Sequence, residues 1–186
     1  MENISEKIYY KATVASPLGE ITLGSDGEGL VGLWTAGQRY FGDTVPGEML
    51  AHGELAVFSI AKDWLKRYFE GQKPQISELP LAPRGGEFRQ TLWKMLTEIP
   101  YGEVITYGEL ARKVADQRGI ERMSAQAVGG AVGRNPISII IPCHRVVGAN
   151  GNLTGFSGGI QMKLQLLQHE GVDVSRFSIP KKGTAL

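Results

Sequence analysis

The chain has one cysteine in 186 residues, no long apolar run, no internal repeat and no block of like charge. Each absence removes a class of protein. A single thiol cannot close an internal disulfide, so a reducing cytoplasm is the expected setting. A cysteine-rich zinc site is excluded. A mixed set drawn from Cys143, His144, His52 and His169 lacks the short ligand spacing of such sites, so no metal is expected. The longest apolar stretches fall far short of a bilayer span, and the opening MENISEKIYY is too polar for a signal peptide. No membrane association is expected. The apolar share of 42% and charged share of 21% are those of an ordinary folded soluble protein. The length fits one large domain or two small ones.

The net charge of +1 conceals an uneven distribution. Residues 1–85 carry 8 Lys/Arg against 11 Asp/Glu, and residues 86–186 carry 12 against 8. Six basic residues and only two acidic ones lie between Arg112 and Arg145. A solvated surface accounts for such charges by default. A polyanion partner would require them.

The pattern of the chain changes near residue 80. Upstream, KIYYKATVA and GEITLGSDGEGLVGLWT read as strands between Gly-rich turns. ELAVFSIAKDWLKRYFEG reads as an amphipathic helix with Val57, Ala61, Trp64, Leu65 and Tyr68 on its apolar stripe, stopped at Gly71. The Pro- and Gly-rich KPQISELPLAPRGG reads as a join between domains. Downstream, FRQTLWKMLTEI repeats apolar residues at helical spacing. Thr106 with Glu109 is a capping-box signature that opens a helix through about Gln117. Ser124 caps a second short helix, Ala125 to about Val132, ended by Gly133 and Asn135-Pro136. Two helices with a tight connection and basic flanks suggest a helix-turn-helix. The second helix is nearly bare of side-chain bulk, with Ala125, Ala127, Gly129, Gly130, Ala131 and Gly133. Such a helix can approach another helix, or a narrow groove, closely.

The lone cysteine lies in IPCHR, residues 141–145, after the apolar run Ile137-Ser138-Ile139-Ile140-Ile141. That run reads as a buried strand ending at Pro142. A free cysteine there is a small buried hydrophobe or a nucleophile. His144 and Arg145 are costly neighbours for a core residue unless they act on it. A thiol has an ordinary pKa near 8.5, and a positioned imidazole favours the reactive thiolate. Neighbours on a strand face opposite sides, so Cys–His contact needs a turn or a bridging water.

IPCHRVVGANGNLTGFSGG resembles the active-site signature of the O6-alkylguanine-DNA alkyltransferases (methylated-DNA–protein-cysteine methyltransferases). The likeness runs from FRQTLWKMLTEIPYGEVITYGELA through LLQHEG, and SPLGEITLGSDGEGLVGL is similar to the family's opening hairpin. The resemblance implies an α/β (α+β) protein with no cofactor. Residues 1–83 would form an RNase H-like sheet-and-helix domain. Residues 84–172 would form a mainly helical, winged helix-turn-helix-like domain, and residues 173–186 a tail. It implies a single, irreversible transfer of an alkyl group from O6-alkylguanine, and from O4-alkylthymine as a further candidate, to Cys143. His144 would act on the thiol through a water, with Glu170 orienting it, Asn135 tying the turn and Tyr107 donating to the leaving guanine. Ser157, Val146, Phe156 and Gly158 would form the substrate pocket. Ser124, Gln126, Ala127, Gly130 and Arg134 would meet double-stranded DNA in the minor groove, and the protein would act as a monomer. The competing expectation is a non-catalytic helix-turn-helix that only binds lesions, and the cysteine speaks against it. The chain departs from the family pattern at Gln126, usually arginine, and at Phe156, often tyrosine. It also lacks the cysteines with which some members hold zinc in the first domain.

Overall fold

The computed structural model describes residues 7–180. Three strands, β1 (Tyr9–Ser16), β2 (Gly19–Ser25) and β3 (Leu30–Thr35), form an antiparallel meander, and β4 (Met49–Ala51) adds in parallel to β1. The strand order is β3-β2-β1-β4. Helix α1 (Ala56–Phe69) lays its apolar stripe on one face of this sheet, burying Val57, Phe58, Ala61, Trp64, Leu65 and Tyr68. A strand with one wet face alternates in burial, but all of β3 is buried. The cause is cover on both sides. Leu30 and Leu33 enter the main core, whereas Val31 and Trp34 pack with Tyr9 and Val45 on the opposite face. The Trp34 ring lies over Gly32, where a Cβ would stand 1.9 Å from a ring carbon.

The second half holds α2 (Glu87–Leu96), α3 (Tyr107–Arg118), α4 (Ala125–Gly133) and α5 (Ile160–His169). Strand β5 (Ile105–Thr106) pairs in parallel with β6 (Val146–Val147). Local chemistry sets the helix ends. Thr106 accepts from the Glu109 N–H, and Glu109 reaches back to the Thr106 N–H, closing the capping box of α3. Gly119 ends that helix in the left-handed conformation. Ser124 caps α4 by accepting from Ala127 N–H at 3.3 Å. The two helices and their connection form the expected helical hairpin.

The isoleucine run is not a strand. It makes one bridge, Ile137 to Leu33, and then turns, with Ile139 at φ 72°. A β-branched residue in the left-handed region is strained by about 1–3 kcal/mol and persists only where its surroundings hold it. Asn135 supplies that hold. Its side-chain carbonyl accepts from Ile137 N–H at 3.0 Å and its amide donates to the Ile141 carbonyl at 2.8 Å. The apolar residues still enter the core, which explains the reading as a strand. The bridge also joins the halves, since Leu33 N–H donates to Pro136 and Ser138 N–H donates to Leu33. One core continues from β2, β3 and α1 to α2, α3, α4 and α5.

Residues 173–180 are tied back to the preceding loop. Leu153 N–H donates to Ser178, and Ser178 N–H donates to Gly151, each at 3.0 Å. Gly32→Ala should lower stability by about 1–3 kcal/mol, because the new methyl must displace a boxed indole. An unchanged urea midpoint would contradict this packing.

Candidate active site

Cys143, His144 and Arg145 form one 3-10 turn directly after Pro142. On a strand these neighbours would alternate in and out. The turn buries all three. The buried imidazole and guanidinium converge on one carboxylate, Glu170, which caps the C-terminus of α5. His144 Nε2 lies 2.7 Å from Glu170 Oε1. Arg145 donates through Nε to Oε2 at 2.8 Å and through Nη2 to Oε1 at 3.0 Å. Gly102 N–H donates to Oε2 at 3.2 Å, and Tyr68 from α1 donates its hydroxyl to Oε1 at 2.7 Å. Arg145 also donates to the Ile99 carbonyl at 2.6 Å.

Burial would push the Glu170 carboxyl up, but the hydrogen bonds of His144 and Arg145 and the charge of Arg145 overturn this and hold it well below the carboxylate range. Burial pushes His144 down, against the pull of Glu170, so the imidazole rests neutral. Its proton then sits on Nε2, facing the carboxylate. Its other nitrogen, Nδ1, is buried and has no hydrogen-bond partner among the described residues. Burial pushes the Cys143 thiol up, opposed by a hydrogen bond from Asn135 and by the charge of Lys163. The site at rest is thus a neutral thiol beside a neutral imidazole with one open acceptor.

Lys163 of α5 is fully buried. Its ammonium donates to the carbonyls of Val146 and, at 2.9 Å, of Thr154. Burial brings it down to about 8. Tyr107 donates to the same Thr154 carbonyl at 2.9 Å. Beyond it lies a cavity of about 500 Å³ whose walls include Tyr107, Gln126, Gly130, Gly155, Phe156 and Ser157. Gly155 has φ 74°, and a Cβ there would stand 2.6 Å from the Tyr107 hydroxyl, so the wall requires glycine. Gly158 packs against Phe156 and Met162. Cys143 is not on the cavity wall and is 4% exposed. Val146 is buried at the start of β6. A larger cleft of about 840 Å³ lies on the far side of Arg145, between α2 and the segment joining the halves.

Ser124, Gln126, Ala127 and Gly130 are exposed on α4, while Val128, Ala131 and Val132 are buried. Arg134 is held apart from them. Its guanidinium pairs with Asp43 at 3.0 Å and lies 3.8 Å from the centre of the Tyr40 ring. Among the described residues no three His, Cys, Asp or Glu side chains group as a metal site, and no helix is long and apolar enough to cross a membrane.

Two family descriptions cover most of the chain. Residues 8–83 match the ribonuclease-like domain of 6-O-methylguanine DNA methyltransferase, and residues 87–172 match its DNA binding domain. The chain belongs to the 6-O-methylguanine DNA methyltransferase family. The methylated-DNA–protein-cysteine methyltransferase of Haemophilus influenzae is 41% identical over 163 residues, 88% of this chain and 87% of that protein. The Mycobacterium tuberculosis protein of the same name is 44% identical, over 88% of this chain and 92% of its own. The crystal structure of M. tuberculosis OGT in complex with DNA superposes with a TM-score of 0.72 at 41% identity, covering 91% of this chain and 94% of that one. The O6-methylguanine-DNA methyltransferase of Pyrococcus kodakaraensis gives 0.63 at 26% identity, over 89% and 100%.

The structure adds residues to this family member's site that the linear pattern did not single out. Gln38 approaches the Ser157 hydroxyl at 3.4 Å, and Arg39 N–H donates to the Ser157 carbonyl at 3.0 Å. No local signal marks a contact across more than a hundred residues. Lys163 had one: it shares a helical face with Leu166 and Leu167, where a lysine is out of place.

The depressed Glu170 carboxyl makes a stability prediction. Its contribution is fully present above the ordinary value of 4.5 and is lost as pH falls through its lowered folded-state value. Glu170→Gln should therefore cost about 3 kcal/mol at neutral pH, leaving Arg145 buried without its partner. The gap to the wild type should narrow as pH falls below about 4.5. Urea unfolding across that range checks it, and a gap that stays constant with pH contradicts it.

Proposed function

We propose that the protein repairs alkylated guanine in DNA by moving the alkyl group onto Cys143, once per molecule. The observation that carries this is the open Nδ1 of His144, in the same turn as the only cysteine and backed by Glu170. The Cys143 proton passes through a bridging water to Nδ1. The resulting imidazolium is stabilised by ionised Glu170, whose charge Arg145 otherwise balances. The thiolate attacks the alkyl carbon, the C–O6 bond breaks, and the electron pair leaves with guanine. Tyr107 gives up its bond to Thr154 and donates to guanine N3, easing that departure. Ser157 donates to O6, while the carbonyls of Cys143 and Val146 accept from the exocyclic amine. Phe156 and Gly158 complete the pocket. The imidazolium gives up its proton and the departing guanine anion takes one from solvent, so the products are guanine and a thioether, which water does not cleave, and no turnover follows.

The target carbon lies inside a duplex, so the base must be flipped out. The exposed, nearly side-chain-free face of α4 supports entry into the minor groove, which is only about 6 Å wide. Ser124, Gln126, Ala127 and Gly130 would make its contacts. Arg134, already paired with Asp43, would act there by positioning the end of α4. We take the chain as a cytoplasmic monomer with units at 1–83 and 84–172 and a tail at 173–186, requiring no cofactor.

Incubation with duplex DNA containing O6-methylguanine should add one methyl, about 14 Da, to Cys143 alone, as expected for a single activated thiol. Cys143→Ala should bind the DNA and transfer nothing. Intact mass and peptide mapping decide this, and several turnovers per molecule or a label elsewhere would overturn it. Gln126 tests the flipping step. Glutamine offers an amide to the orphaned base but no charge. Gln126→Arg should speed repair of duplex DNA by about tenfold if it gains about 1.4 kcal/mol, and Gln126→Ala should slow it. Neither should alter the rate on free O6-benzylguanine, which needs no flipping. Equal duplex rates for all three proteins would remove position 126 from this role.

A further inference from the structure

Glu170 takes more donors than its chemistry calls for. Three converge on Oε1 alone: His144 Nε2 at 2.7 Å, the Tyr68 hydroxyl at 2.7 Å and Arg145 Nη2 at 3.0 Å. Oε2 takes Arg145 Nε and Gly102 N–H. A carboxylate has about four lone-pair sites, so five donors compete. Tyr68 is the outsider among them. It comes from α1 in the first half of the chain, 102 residues from Glu170, and carries no net charge. Its ring is fixed on several sides. It stacks on Trp64 at 5.4 Å with planes 9° apart, and it meets Phe69 and His169 at 5.1 Å. His169 also donates to the Tyr68 backbone carbonyl at 2.7 Å. The hydroxyl therefore cannot swing away from the oxygen it shares with His144.

We propose that Tyr68 is a positioning residue for the alkyl transfer: its hydroxyl shares Glu170 Oε1 with His144 and so sets how strongly His144 takes the thiol proton. This rests on the reading of Cys143 as nucleophile and His144 as its base. Tyr68 and His144 compete for one oxygen. A strong donor beside His144 withdraws carboxylate charge from the imidazole N–H, which destabilises the imidazolium and keeps His144 neutral. Removing that donor returns the charge to His144 and raises the pH needed to keep it a base. The first half of the molecule thereby tunes the chemistry of the second through one hydroxyl.

The other titratable groups around the pair are Cys143, Arg145, Lys163, Tyr101 and His169. Burial raises Tyr101 and brings Lys163 down to about 8. His169 holds the far side of the Tyr68 ring in every variant below.

The test is the pH dependence of single-turnover methyl transfer from saturating methylated duplex DNA. In the wild type the rate rises with pH as the coupled thiol–imidazole unit loses its proton. Tyr68→Phe keeps the ring and removes the donor. Its rising limb should move to higher pH by about half to one unit, a fraction of the worth of one hydrogen bond to a charged group. Replacement of Tyr68 by 3-fluorotyrosine makes the phenol a stronger donor and should move the limb to lower pH. A purely structural tyrosine would change the melting temperature and leave both limbs in place. Unmoved limbs, or two shifts of the same sign, overturn the proposal. If Tyr68→Phe does not fold, the direction of the fluorotyrosine shift decides alone. Failure of the wild type to transfer methyl at all would instead overturn the function proposed above.

Discussion

The buried carboxylate of Glu170 is the point on which the structure depends. It receives donors from three separate places: α1 through Tyr68, the turn after α2 through Gly102, and the nucleophile turn through His144 and Arg145. Each group would be costly to bury alone. Together they form a cluster in which Arg145 balances Glu170 and the three neutral donors share what remains. Removing the carboxylate strands a guanidinium in the core, which is why stability and chemistry are linked at one residue.

The nucleophile turn is held from its other side by Asn135. This side chain bridges Ile137 and Ile141 and sustains the strained Ile139 between them. The strain bends the chain so that Cys143, His144 and Arg145 all point inward. A regular strand would have put His144 on the opposite face from Cys143. The same bend brings Ile137 to the edge of β3, so the geometry of the thiol is coupled to the docking of the two halves.

Much of this was legible locally. The cap residues Thr106, Glu109 and Ser124 and the apolar stripe of α1 depend on neighbours three or four positions away, and the sequence displays them. The Pro-Cys-His-Arg-Val run and the later His-Glu-Gly pointed to Cys143, His144 and Glu170 through family likeness. The isoleucine run misled because five buried, mostly β-branched residues look like a strand. The side chain of Asn135 and one long-range bridge decide otherwise. Tyr68 reads as one more member of an apolar stripe, since its ring is core and only its hydroxyl is functional. The loop around Gln38 and Arg39 gave no sign, because its partners lie in the other half.

The mechanism requires one state of His144: neutral, with its proton on Nε2 towards Glu170 and Nδ1 open as an acceptor. Nitrogen-15 NMR of histidine-labelled protein reads this directly, and the chain has only three histidines to assign. At neutral pH the His144 signals should be those of a protonated Nε2 and an unprotonated Nδ1. A proton on Nδ1, whether in the other neutral tautomer or in a resting imidazolium, would contradict the mechanism.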